Sequence, residues 1–154
     1  MSQNVSNPDP TTETWLNRID DAAHTPIRVL VIEDVLLVRR RIAAALAVEP
    51  DLSVVGEAGT CGDAQTWLMQ AQADVLVCDI SLPGTPELRN GIDLIVWALR
   101  REPRLRVIVL TNYADEAYRR ASLRAGASAF LDKSSEFAEL PAAIRAAIRG
   151  SLST

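Results

Sequence analysis

Five positions carry side chains able to hold a cation and act on a charged group: the adjacent pair Glu33 and Asp34, then Asp79, Thr111 and Lys133. The acidic pair follows the apolar run "RVLVI" without a spacer. Two neighbouring carboxylates at the end of a buried strand repel each other, and either alone is easier to solvate. A pair in that place points to a cation held between them. Asp79 closes the run "VLVC", Thr111 closes "VIVL", and Lys133 comes just after "AFLD". Singly, each has an ordinary reading: a helix cap and first-turn acid, a loop acid, a cap, a solvated lysine. Together they need a fold that brings the ends of these runs to one edge.

The pattern between the runs supplies that fold. "IRVLVIE" predicts a strand, and "LLVRRRIAAALAVE" a helix with Leu37, Ile42 and Leu46 turned inward. "LSVVGEA" is the second strand, and "CGDAQTWLMQAQ" a helix with its N-cap near Thr60. "DVLVCDI" is the third strand and "GIDLIVWALRR" the next helix. "LRVIVLT" is the fourth strand, and "ADEAYRRASLRAG" a helix ended by Gly126 at C′. "SAFLD" gives a short fifth strand. "EFAELPAAIRAAIRG" closes the pattern as a helix whose regular ladder begins near Pro141. Strand and helix alternate five times with short connections. This specifies an α/β fold, a doubly wound five-stranded parallel sheet with helices on both faces. Such sheets bind ligands beyond the carboxyl ends of their strands, where Glu33, Asp34, Asp79, Thr111 and Lys133 fall.

Composition bounds the rest. With 154 residues, 48% of them hydrophobic, the chain can bury one substantial core. A net charge of -4 without a basic stripe predicts no direct nucleic-acid partner. Cys61 and Cys78 match no disulfide or zinc spacing, and the one histidine, His24, is remote from other ligands. No apolar run is long enough to span a membrane and no signal peptide is evident, so the expected location is cytoplasmic, with reduced thiols. Trp67 and Trp97, at apolar helical positions, are expected in the core. Residues 1–26 form a polar extension, in which "TWLNRIDDAA" sets Trp15, Leu16, Ile19 and Ala23 on one helical face. The extension is expected to be a flexible tail, or a short helix docked on the core or on another subunit.

The segments "VIED", "VCDISLPG", "VIVLTN" and "AFLDKS", in that order and near those spacings, resemble the receiver domain of bacterial response regulators in two-component signalling. The resemblance covers residues 27–149, the expected receiver domain is 27–150, and the chain's end at Thr154 gives the expectation of a stand-alone receiver without an effector domain. It implies a flavodoxin-like sheet of strand order 2-1-3-4-5. It implies that Asp79 takes a phosphoryl group from a histidine kinase or a histidine phosphotransfer protein, in a reaction that needs Mg2+ (or Mn2+). Asp34, Asp79 and the Ser81 carbonyl would hold the ion, with Glu33 reached through a water. Lys133 and Thr111 would each meet a phosphoryl oxygen, and Thr111 with Phe130 would carry the switch. Ser81 and Tyr113 would flank the path of hydrolytic water, giving slow self-dephosphorylation. Output is expected through a downstream protein partner on the face of the fourth helix, fifth strand and fifth helix, which carries Arg119, Arg120, Arg124 and Arg145. A homodimer stays open. A phosphorylation-independent binding module of the same fold is the alternative. Three features depart from the family pattern: a stretched loop "PGTPELRNG", Ser134 after the lysine where proline is common, and Asn112 after Thr111 where a small residue is common.

Overall fold

Runs of β-branched and aliphatic residues alternate with helical segments throughout the part of the chain that the computed structural model describes, residues 25–150. The strands are β1 (Ile27–Ile32), β2 (Leu52–Ala58), β3 (Val75–Cys78), β4 (Arg106–Thr111) and β5 (Ala129–Asp132). Between and after them lie α1 (Leu36–Ala47), α2 (Cys61–Gln70), α3 (Gly91–Arg101), α4 (Glu116–Ala125) and α5 (Leu140–Gly150). All pairings are parallel, and the order is β2-β1-β3-β4-β5, the doubly wound arrangement expected. The extension with Trp15, Leu16, Ile19 and Ala23 lies outside the described residues. Among the described residues, no helix is long and apolar enough to cross a membrane.

The central strands are buried on both faces, so each contributes alternate residues to two cores. One core packs Val29, Val31, Val77 and Ile108 against Ile42 and Leu46 of α1 and Ile144 of α5. The other packs Leu30, Ile32, Leu76 and Val109 against Ala64 of α2 and Leu94, Ile95 and Ala98 of α3, with Trp67 and Trp97 at its edge.

Most local signals fold as written. Thr60 caps α2 by accepting from the Asp63 amide at 3.0 Å. Gly126 ends α4 at φ 113°, a left-handed position that favours glycine. The last helix starts late: a 3-10 turn at Phe137–Glu139 precedes it, and Pro141 sits in its first turn, where no amide is needed. Leu37 is a correction. It is 81% exposed, and Val38 turns toward the core with Ile42 and Leu46. Those three are four residues apart, one helical face, whereas Leu37 stands well off it.

The stretched loop is an ordered turn. The Thr85 amide donates to the Leu88 carbonyl at 2.8 Å, and the Leu88 amide to the Thr85 hydroxyl at 3.0 Å. Leu88 is thereby buried in the core, and Asn90 caps α3 by accepting from the Asp93 amide.

Candidate functional site

Register decides where the chemistry falls. Ile32 pairs with Cys78, Cys78 with Val109, and Val109 with Phe130. Glu33 and Asp79 therefore leave adjacent strands at one level, while Thr111 stands beside Asp132 with Lys133 next. The order reverses between β1 and β3, so the crevice at the carboxyl edge opens between Glu33 and Asp79.

The side chains meet there. The Thr111 hydroxyl donates to Asp79 Oδ1 at 2.8 Å, and the Ser81 amide donates to the same oxygen at 3.0 Å. The Lys133 ammonium donates to Asp79 Oδ2 at 2.8 Å and to Glu33 Oε2 at 2.6 Å. The other Glu33 oxygen accepts from the Val35 amide at 3.3 Å. Glu33 is 2% exposed and Asp79 6%, while Asp34 is exposed. Burial pushes the Glu33 carboxyl above its usual range, and the Lys133 contacts only partly oppose this. Burial also pulls Lys133 down, but its bonds to Asp79 and Glu33 outweigh that and hold it above the ordinary lysine value. Lys133 is thus charged at neutral pH.

Carboxylate oxygens of Glu33, Asp34 and Asp79 all lie within 4.8 Å of one another. Three acids against one ammonium leave excess negative charge, and all the donors are oxygen. That set fits a hard divalent cation such as Mg2+.

The ordinary roles fall away for two residues. The N-cap position of α1 is Val35, which makes no side-chain cap bond, so Asp34 does not cap that helix. The N-cap of α4 is Asp115, and Thr111 instead accepts from the Tyr113 amide at 3.2 Å while donating to Asp79. Lys133 reaches the acids with Ser134 after it, and the Ser134 amide and hydroxyl both donate to Asp132. Phe130 is buried against the core that α2 and α3 cover. The Tyr113 ring is 54% exposed and edge-on to Tyr118 at 6.0 Å.

Two features escaped sequence reasoning. Arg39 donates to the Glu33 carbonyl at 2.9 Å and to Glu57 at 3.2 Å, bracing the β1–α1 turn from one helical turn away. Arg145 is committed to Glu49 at 2.7 Å and Asp51 at 2.8 Å, so it does not join Arg119, Arg120 and Arg124 on an open face. A carboxylate pair in the α1–β2 connection, distant in sequence, holds it.

A family model described as the response regulator receiver domain matches residues 29–145. The DNA-binding transcriptional activator DevR/DosR of Mycobacterium tuberculosis is 35% identical over 119 residues, covering 77% of this chain and 53% of that protein. The isolated REC domain of RcsB from Salmonella enterica serovar Typhimurium, solved with phosphomimetic BeF3-, superposes at TM-score 0.75 with 29% identity, covering 82% of this chain and 91% of that one. An RcsB–DNA complex superposes at TM-score 0.76 with 29% identity, covering 82% of this chain and 62% of that one. The chain spans a little over half the length of the curated relatives it matches.

The expectation of no direct nucleic-acid partner does not survive these likenesses, since DevR/DosR is named as DNA-binding and RcsB is solved on DNA. The physical reason is one of scope. Net charge describes this chain's own surface, and nearly half of the DNA-binding relative lies outside the aligned region. The family model runs from within β1 to beyond β5, the order β2-β1-β3-β4-β5 is that expected of the fold, and a regulator matches at 35% identity; this chain belongs to the response regulator receiver domain family.

Proposed function

We propose that this receiver takes a phosphoryl group onto Asp79 and changes its contacts in consequence. The observation that carries the reading is the Asp79 carboxylate, buried yet at the open edge, with the Thr111 hydroxyl on one oxygen and the Lys133 ammonium on the other. Phosphoryl transfer needs little covalent work from a protein. It needs a placed nucleophile and positive charge or donors aimed at the equatorial oxygens. The contacts of Lys133, Thr111 and the Ser81 amide with Asp79 support a reading in which the first two meet two such oxygens and the third orients the nucleophile.

Asp34 and Asp79, with the Ser81 carbonyl, are the residues proposed to hold Mg2+ or Mn2+, and Glu33 to reach it through water. When bound, the ion neutralises charge on the donor phosphate and the acceptor. Lys133 offsets the acids in its absence. Transmission is assigned to Thr111, whose hydroxyl would exchange Asp79 for a phosphoryl oxygen, and to Phe130 on the neighbouring strand. Ser81 and Tyr113 are assigned to water access.

The donor is proposed to be a histidine kinase or phosphotransfer protein. Val35, Leu36 and Leu37 are all exposed directly beside Asp34, an apolar rim for such a donor to dock on. By likeness to DevR/DosR and the RcsB complexes, a DNA-directed output of the protein carrying this receiver belongs to the same proposal.

The test is intact mass after incubation with acetyl phosphate. One added phosphoryl group that requires Mg2+ and is lost in Asp34→Ala supports the switch. No adduct in the wild type supports the phosphorylation-independent binding module.

A further inference from the structure

At the edge of the sheet opposite Asp79 lies a groove of about 830 Å3. Its floor and walls are the ends of α2 and α3, with Leu68, Met69, Trp97 and Leu105 among the lining, and Met69 is 58% exposed. An unbranched thioether left that open beside a half-buried indole is an unfinished apolar surface. Its rim is basic. Arg101 lies 5.9 Å from the Trp97 ring, and among the described residues neither Arg101 nor Arg104 has an ion-pair partner. The rim acids are engaged: Asp74 binds Arg28, and Glu102 accepts from the Arg104 amide.

The chain enters the fold at this groove. Arg28, the second residue of β1, lines it, so the first strand begins beside the groove. The preceding sequence has what the groove lacks. Trp15, Leu16, Ile19 and Ala23 recur at helical spacing, and Asp9, Glu13, Asp20 and Asp21 outnumber the single Arg18. Only His24, Thr25 and Pro26 separate that pattern from Ile27. A tether this short makes docking intramolecular, with an effective concentration that a free partner rarely matches.

We infer that the N-terminal extension packs its Trp15–Ile19 face into this groove as a helix, its acids meeting Arg101 and Arg104. The occupant is the protein's own leader. The docking is independent of phosphate at Asp79.

Disulfide trapping in the full chain tests this, since the native Cys61 and Cys78 are buried and do not compete. Ile19→Cys is paired with Met69→Cys in the groove. As a control it is paired with Val48→Cys, which is 77% exposed and precedes Asp51, whose carbonyl accepts from the Ile27 amide at the same sheet edge. With copper phenanthroline as oxidant, two thiols lose their protons and two electrons to form one disulfide. The expected result is an intramolecular crosslink in the Met69 pair, at least about tenfold faster than in the control. Adding Arg101→Glu and Arg104→Glu should slow it several-fold at low salt. Equal rates for the two pairs would overturn the inference. So would a crosslink found only between two chains, which would make a second copy the occupant.

Discussion

Lys133 and Glu33 are 100 residues apart in sequence, and their side chains meet at 2.6 Å in a largely buried ion pair whose lysine keeps some exposure. The same ammonium holds Asp79, so without metal it keeps two buried carboxylates together. Removing one partner of a buried pair leaves a charge uncompensated, which costs more than the intact pair contributes. Lys133→Ala should lose about 3 kcal/mol of stability in metal-free buffer. Added Mg2+ should recover more stability in the variant than in the wild type, because the acids then lack any other cation. Urea denaturation with and without Mg2+ measures both. Equal Mg2+ effects would show that the lysine and the ion do not share the acids.

Gly91 packs against the backbone of the acceptor. A Cβ there would lie 2.2 Å from the Asp79 carbonyl oxygen and 2.7 Å from the Ile80 Cα, neither of which is a flexible side-chain end. Gly91→Ala should cost about 2 kcal/mol by forcing α3 away from the end of β3. It should also slow phosphorylation by acetyl phosphate. Thermal melts and the adduct rate check the two effects separately. An unchanged rate would mean that the acceptor loop tolerates displacement.

Arg28 grips Asp74 from both ends: its amide donates at 2.8 Å and its guanidinium at 2.9 Å and 3.2 Å. Partial burial pushes the Asp74 carboxyl up, but the Arg28 bonds more than offset this, and it titrates below its ordinary 3.8. A carboxyl depressed in the folded state adds stability that is complete above the unfolded value and is lost as pH falls through the folded one. Asp74→Asn should therefore cost about 1 kcal/mol at pH 7, discounted for the pair's exposure. The difference should shrink only below pH 3.8. Denaturant midpoints at several pH values report it; a gap that closes well above that pH would assign the effect elsewhere.

The exposed Val35–Leu37 rim separates docking from chemistry. Leu37 is 81% exposed and makes no core contribution, so Leu37→Glu should leave the fold and the acetyl phosphate reaction intact. Transfer from a phosphorylated histidine protein should fall about tenfold. Equal losses with both donors would place the effect in the site itself.

The sequence revealed the sheet because β1, β3 and β4 carry consecutive apolar residues, and it brought Glu33, Asp79 and Thr111 together because each follows or closes one of those runs. It misphased α1 because "LLV" offers three successive apolar residues, any of which can begin the inward face; only packing selects Val38. It could not show that Arg145 is held by Glu49 and Asp51, or that Lys133 spans Glu33 and Asp79, since both depend on register between distant segments. Leu88 fell inside the stretched loop with no sign of burial, and its place in the core follows from a turn closed by the Thr85 side chain. The nucleic-acid expectation failed because this chain's charge says nothing of the part of its relatives it does not match, and it spans little more than half their length.

Asp79 is the residue proposed to accept the phosphoryl group. Borohydride reduces an aspartyl phosphate to homoserine, which marks the acceptor permanently. After reaction with acetyl phosphate and Mg2+, reduction and proteolysis, homoserine is expected at position 79 and at no other acid, with none in metal-free samples. Homoserine at Glu33's neighbour Asp34 or elsewhere, or unmodified Asp79 in protein that has gained a phosphoryl group, would contradict it.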